Sequence, residues 1–213
     1  SKVNKIVSGV SANLELIEQA IEEKADAIFV HHGIFWDNES KTITGAKRNK
    51  VALLLNHNIS LFGFHLPLDD HPEVGNNIEL GRRLGIKNMT PVDDSLMWQG
   101  ELKTNISDFL KLIEDKLNRA PQIYGAKNQE ISKIAWCTGG AQGFIDDAIK
   151  LNVDLYLSGE VSEKTPAAAK ESNINYIAAG HHATERYGIQ ALCSHLCSKF
   201  KLQHKYIEVD NSV

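Results

Sequence analysis

Apolar residues recur along this chain in two alternating rhythms. Short runs such as "NKIVSGV", "DAIFV", "KIAWCTG", "DLYLSGE", "INYIAAG" and "KYIEV" have the length and β-branched content of buried strands. Between them, apolar residues return at helical spacing. Leu14, Ile17 and Ile21 share one face behind Ser11 or Asn13 as N-cap, which predicts a helix through about Lys24. "KVALLLNH", "NNIELGRRLGI" and "SDFLKLIEDKLN" read as further helices, and "ISLFGFHLPLD" as a strand leaving into a loop. Residues 86 to 105 are the least regular stretch. The alternation predicts an α/β fold with mostly parallel strand pairing.

The same pattern occurs twice. Offset by 128 residues, "KIVSGVSANLELIEQAIEEKADAIFVHHG" lies on "KIAWCTGGAQGFIDDAIKLNVDLYLSGE" without a gap. Lys5, Ile6, Ile17, Ala20, Ile21 and Asp26 fall on Lys133, Ile134, Ile145, Ala148, Ile149 and Asp154, and His32 falls on Glu160. At an offset of 116, "HLPLD" falls on "HHATE", pairing His65 with His181 and Asp69 with Glu185. We therefore expect two similar α/β lobes related by an internal repeat, residues 1–100 and 101–213, packed closely enough to count as a single domain. Chance likeness between two strand–helix–strand units is the competing explanation.

Composition narrows the function classes. The 213 residues suffice for a sizeable core, and a net charge of −4 provides no basic field for nucleic acid or an anionic membrane. No apolar run is long enough to span a bilayer, and "SKVNKIVSGV" lacks a signal-peptide pattern. Three cysteines, an odd number, fit a reducing cytoplasm better than a disulfide framework.

Nine histidines remain, and their placement carries the chemistry. In "AIFVHHGIFW", His31 and His32 close an apolar strand, where imidazoles are costly unless their nitrogens are bound. In "HHATERYGIQALCSHLCSKF", read as one helix from about residue 181, Ile189, Leu192, Leu196 and Phe200 form an inward stripe. Extended backward, that stripe lands on Glu185 and His181, an i, i+4 pair on one face. His31, His32, Asp69, Glu160, His181 and Glu185 all follow predicted strands, and open α/β sheets bind ligands beyond the carboxyl ends of their strands. Imidazole with carboxylate suits zinc, manganese, iron or nickel. Hydrogen-bonded core histidines are the alternative.

The motifs "DAIFVHHGIFW", "FGFHLPLD", "HPEVGNN", "SGEVSE" and "AAGHHATERYGIQAL", in that order, resemble the GTP cyclohydrolase 1 type 2 homologue family, also called the Ngg-interacting factor-like family. The resemblance covers nearly the whole chain. It implies a two-lobed protein with a dinuclear metal site in the cleft between the lobes, usually assembled as a toroidal homohexamer. Carried onto this sequence, the ligands are His31, His32, Asp69, His181 and Glu185. Glu185 bridges two divalent ions, His32 and Asp69 complete one site, and His31 and His181 the other. Family members usually carry a segment before the first strand, from which this chain departs by entering that strand almost at once; it also lacks the central insertion of longer members, and so resembles the short bacterial type.

Two cations that share ligands lower the pKa of a water and stabilise developing oxyanions, which points to a hydrolase. The family name implies hydrolytic opening of the guanine ring of GTP, so the expected partner is a small nucleotide-like or heterocyclic substrate. Glu160 and His65 are the acid–base or ligand-orienting candidates, because the repeat sets them beside the ligands. A metal-binding or metal-delivery protein without turnover, and an interaction scaffold, are the rival classes. Three other features carry less. "GGAQG" reads as a tight turn. Lys47, Arg48 and Lys50 read as a solvated helix start. Cys193 and His195 diverge by about 200° on a helix, so these and Cys197 share no ion, and the cysteines are core.

Overall fold

The structure, a computed structural model, describes residues 2–125 and 130–213. The chain forms two compact units, Ser1–Leu68 with Gly188–Asp210, and Asp69–Tyr187 with Asn211–Val213. The expected division near residue 100 is not where the chain divides. Each unit instead takes segments that are distant in sequence.

In the first unit, β1 (Lys5–Ser11), α1 (Leu14–Glu22), β2 (Ala27–His32), α2 (Gly45–Asn56) and β3 (Ser60–Gly63) follow one another, and β10 (Gln203–Tyr206) joins from the far end of the chain. The strands form a wholly parallel sheet in the order β10-β1-β2-β3. Strand alternation sends Val7, Ile28 and Val30 to a core with Leu16, Ile17, Ala20 and Leu54. Ile6 and Phe29 pack instead with Ile189 and Cys193 of α9 (Arg186–Phe200). Asn13 is the N-cap of α1, its side chain accepting from the Leu16 amide at 2.8 Å. Leu14 is 40% exposed and Leu16 takes the inward place expected of it, because Leu16 lies on the helix face of Ile17 and Ala20, which meets the core.

The second unit holds α4 (Asn76–Arg83), β4 (Lys87–Pro91), β5 (Trp98–Asn105), α5 (Ile106–Leu117), β6 (Gln122–Tyr124), β7 (Glu130–Trp136), α6 (Ile145–Lys150), β8 (Leu155–Ser158), α7 (Thr165–Glu171), β9 (Asn175–Ala178) and α8 (His181–Thr184). Its sheet order is β4-β5-β7-β8-β9-β6. Only β7, β8 and β9 run parallel, so this sheet is mixed rather than mostly parallel. Trp98, Phe109, Ile113, Ile134, Trp136 and Leu155 fill one core, and Ala135, Ile145, Tyr156, Ala169 and Tyr176 another.

Three further expectations need correction. Residues 86–105, read as irregular, contain the antiparallel pair β4–β5, whose outer strand is exposed but for the half-buried Met89 and so shows no alternation. "HLPLD" is not a loop but a short helix, α3 (His65–Asp70). The long helix expected from residue 181 is broken at Glu185 (φ −105°, ψ 6°) into α8 and α9, and its inward positions are Ile189 and Cys193. Phe200 is 58% exposed and Leu196 is half-exposed.

One local device recurs at the offset of 128 residues. Asp26 Oδ2 accepts from the amides of Asn4 (2.7 Å) and Lys5 (2.9 Å), and Asp154 Oδ2 accepts from those of Ser132 and Lys133, both at 2.8 Å. Lys24 and Asn152, both left-handed at φ 55° and 53°, close the turns that precede these aspartates. Ile6 pairs with Ala27 as Ile134 pairs with Leu155.

Candidate metal centre

In the first unit, β2 ends on the histidine pair, in register with the end of β1 (Ser11 opposite His32). Neighbours on a strand point to opposite faces, yet the His31 and His32 rings stand 4.5 Å apart at 49°. The first residue of α3, His65, brings a third imidazole 5.2 Å from His31 and 5.3 Å from His32. Each of the three can present a ring nitrogen within 4.8 Å of the others, the spacing of ligands to one cation. His31 is fully buried, His32 half-buried and His65 exposed. Ser11 Oγ lies 3.0 Å from His32 Nδ1, so Nε2 is the nitrogen that His32 can present to an ion. The indole of Trp36 stands beside this group, 5.4 Å from His32 and 5.2 Å from His65.

In the second unit, His181 opens α8 and Glu185 ends it, which preserves the i, i+4 spacing despite the break in the helix. His181 Nε2 lies 3.2 Å from Glu185 Oε2, and Nδ1 lies 2.6 Å from Glu160 Oε1. Burial disfavours the charged ring, but the carboxylates of Glu185 and Glu160 outweigh it and lift the His181 pKa to about 9. Glu185 is only 3% exposed, and a carboxylate so buried needs cationic or hydrogen-bonding compensation. Asp69 is equally shielded, and its Oδ1 accepts from Asn76 Nδ2 at 2.8 Å and Thr138 Oγ1 at 3.1 Å. Burial first, then the negative charge of Asp69, pushes the Cys137 thiol up to about 12, with Glu185 adding to it. This thiol is therefore an inert wall rather than a nucleophile.

Sequence reasoning had named all seven of these acidic and imidazole groups, but it set His65 behind the ligands. The structure places the His65 ring beside those of His31 and His32. Ser11, Trp36, Asn76, Asn77, Thr138 and Thr184 were missed; of these, only the adjacent asparagines of "GNN" at a helix start carried a visible signal. "GGAQG" is the expected tight turn, with Gly139 at φ 70° and the Ala141 amide bonded to the Gly139 carbonyl. Lys47 is tied to Glu39 at 3.0 Å and to the Ser40 carbonyl, consistent with a surface role. Among the described residues all three cysteines are free thiols, with Cys137 and Cys193 in the core as expected and Cys197 only half-buried. No helix among them is long and apolar enough to cross a membrane.

A family model described as Duf34/NIF3 (NGG1p interacting factor 3) matches residues 1–212. The chain is 48% identical to the GTP cyclohydrolase 1 type 2 homolog of Pseudomonas aeruginosa, over 99% of this chain and 85% of that one. It is 45% identical to the Escherichia coli K12 protein of the same name, over 98% and 85%. Among solved structures, a protein described as ybgI, of unknown function, superposes with a TM-score of 0.95 at 42% identity, covering 100% of this chain and 87% of that one. Reduced HcgD from Methanocaldococcus jannaschii superposes at 0.85 with 25% identity, covering 99% and 85%.

Proposed function

Because the chain belongs to the Duf34/NIF3 family, we propose that it is a dinuclear metal-dependent hydrolase of a nucleotide-like or heterocyclic substrate, similar to a GTP cyclohydrolase in its reaction. The observation that carries this reading is the convergence of three imidazoles at the end of β2 and the start of α3. A donor set of imidazoles and carboxylates fits zinc, iron, manganese or nickel, and does not fit a calcium cage of oxygens alone.

In this reading His31, His32, Asp69, His181 and Glu185 are the residues that would hold the ions. When bound, two such ions supply Lewis acidity and a water deprotonated near neutral pH. The rest falls to the chain's own side chains. Ser11 holds the His32 ring by Nδ1, and Glu160 does the same for His181, a carboxylate–histidine pairing that raises ligand basicity. His65, exposed at the rim of the imidazole group, is the candidate to move a proton between substrate and solvent.

The matching aspartate braces and registers at the offset of 128 residues support descent of the two β-α-β segments from one duplicated unit. The assembly we propose is a homohexamer. Phe35, Leu55 and Leu66, left 66, 75 and 50% exposed, support burial against other copies. Free thiols throughout support a cytoplasmic setting.

Elemental analysis of metal-replete protein tests the centre directly, with two ions per chain expected and a value near zero overturning it. Glu185→Gln is expected to abolish hydrolysis of nucleotide substrates while leaving the fold intact. Metal-loaded wild-type protein that turns over no nucleotide, phosphodiester or amide would support metal delivery without catalysis instead.

A further inference from the structure

The segment that follows β7, "CTG" at residues 137–139, touches all three acidic or imidazole groups assigned as ligands in the second unit. From this geometry we propose that Thr138 and Gly139, with Asn76 and Asn77, position these ligands and commit Asp69 to bind its ion through Oδ2 alone. The proposal rests on the metal reading above and adds the denticity of one ligand and the residues that set it.

Asp69 Oδ1 takes two donors, the Asn76 amide at 2.8 Å and the Thr138 hydroxyl at 3.1 Å. A carboxylate oxygen offers about two lone-pair directions, so Oδ1 is saturated by these two and a cation must approach Oδ2. The donors are themselves held rigidly. Asn77, fully buried, accepts from the Thr138 amide at 2.9 Å and donates to the carbonyls of Asp69 (3.1 Å) and Leu96 (3.0 Å). Its own carbonyl accepts from Trp136 Nε1 at 2.9 Å. The start of α4 therefore binds the end of β7 to the backbone of Asp69.

One residue further on, Gly139 runs against the other two ligands. A Cβ there would stand 2.0 Å from Glu185 Oε1 and 3.3 Å from His181 Nε2. The Gly139 amide donates to Thr184 Oγ1 (3.0 Å), and that hydroxyl donates to the His181 carbonyl (2.9 Å). Two consecutive residues, Thr138 and Gly139, thus hold the carboxylate of Asp69 on one side and the His181–Glu185 turn on the other. A buried, hydrogen-bonded polar network of this kind fixes ligand geometry where a purely apolar wall would not.

Thr138→Val removes the hydroxyl at nearly constant volume, and Thr138→Ser keeps it. Affinity for zinc is read by competition with a chromophoric chelator, ligand geometry by the visible spectrum of the cobalt(II)-loaded full chain, and stability by the melting midpoint of the metal-free protein. The expected result is a loss of zinc affinity of about 10–100-fold in T138V with an altered cobalt spectrum, both restored in T138S. Wild-type affinity and spectrum in T138V overturn the proposal, as does a lowered melting midpoint with both metal readouts unchanged. If T138V does not fold, Asn76→Ala removes the other Oδ1 donor and carries the same expectations. Wild-type protein that binds neither metal overturns the metal reading itself, whereas metal-bound wild type with an unaffected T138V overturns only the positioning role.

Discussion

Glu160 Oε1 lies 2.6 Å from Nδ1 of His181, while the other ring nitrogen of that histidine faces Glu185 at 3.2 Å. The imidazole is thus held from behind by one carboxylate and turned toward the other, the relationship that fixes tautomer and orientation in a ligating histidine.

Glu160→Ala is therefore expected to weaken metal binding by about 10–100-fold, by removing the group that orients the ring. Chelator competition on the purified variant measures this. An affinity equal to wild type would show that His181 needs no orienting partner.

Trp136 is fully buried, and its indole donates to the Asn77 carbonyl at 2.9 Å. Trp136→Phe keeps most of the aromatic volume but removes this hydrogen bond, at a cost of about 0.5–1.5 kcal/mol in equilibrium denaturation. A loss below about 0.5 kcal/mol, the scatter of neutral surface changes, would mean that the bond contributes nothing net.

Two helix starts in the first unit offer a matched comparison. Asn13 caps α1 through its side chain, whereas Thr44, in the same position before α2, makes no such bond. Asn13→Ala should cost about 0.5–2 kcal/mol. Thr44→Ala should stay within about 0.5 kcal/mol of wild type. Urea titrations that rank the two variants the other way would refute the capping account.

Glu23 bonds to Lys205 and Lys5, each at 2.6 Å, and these partners hold its carboxyl down at about 2. A pKa lowered on folding stabilises the native state above the unfolded value of 4.5, and that contribution disappears as pH falls through about 2. The stability difference between wild type and Glu23→Gln is thus expected to be flat above pH 5, shrinking between 4.5 and 2, and smaller in high salt because the groups are exposed. A difference that grows on acidification would contradict the assignment.

Much of the molecule is legible without coordinates. β1, β2, β7, β8 and β9 announce themselves because buried strands are short apolar runs, and α4 and α5 because one helix face must be apolar. His31, His32, Asp69, His181 and Glu185 stand out because imidazoles and carboxylates at strand and helix ends conflict with burial unless something binds them. The β4–β5 pair does not, since β4 is exposed but for Met89, and the inward positions of β5 after Trp98 include Gly100 and Thr104, which blur its period-2 signal. Nor does the break at Glu185, because the i, i+4 spacing is the same in one helix or in two.

The chain's pattern and residue chemistry alone therefore determined the α/β class, most of the elements and which residue types could hold a metal, since these depend on periodicity and on the nature of each side chain. Only the tertiary structure decided how the second unit's candidate ligands are held. Thr138 meets Asp69 across 69 residues, the Thr138 amide meets Asn77 across 61, and Gly139 meets Thr184 across 45. Hydrogen bonds between residues so far apart leave no local rhythm to read, because they depend on where the folded backbone brings a hydroxyl, an amide or a missing side chain into reach.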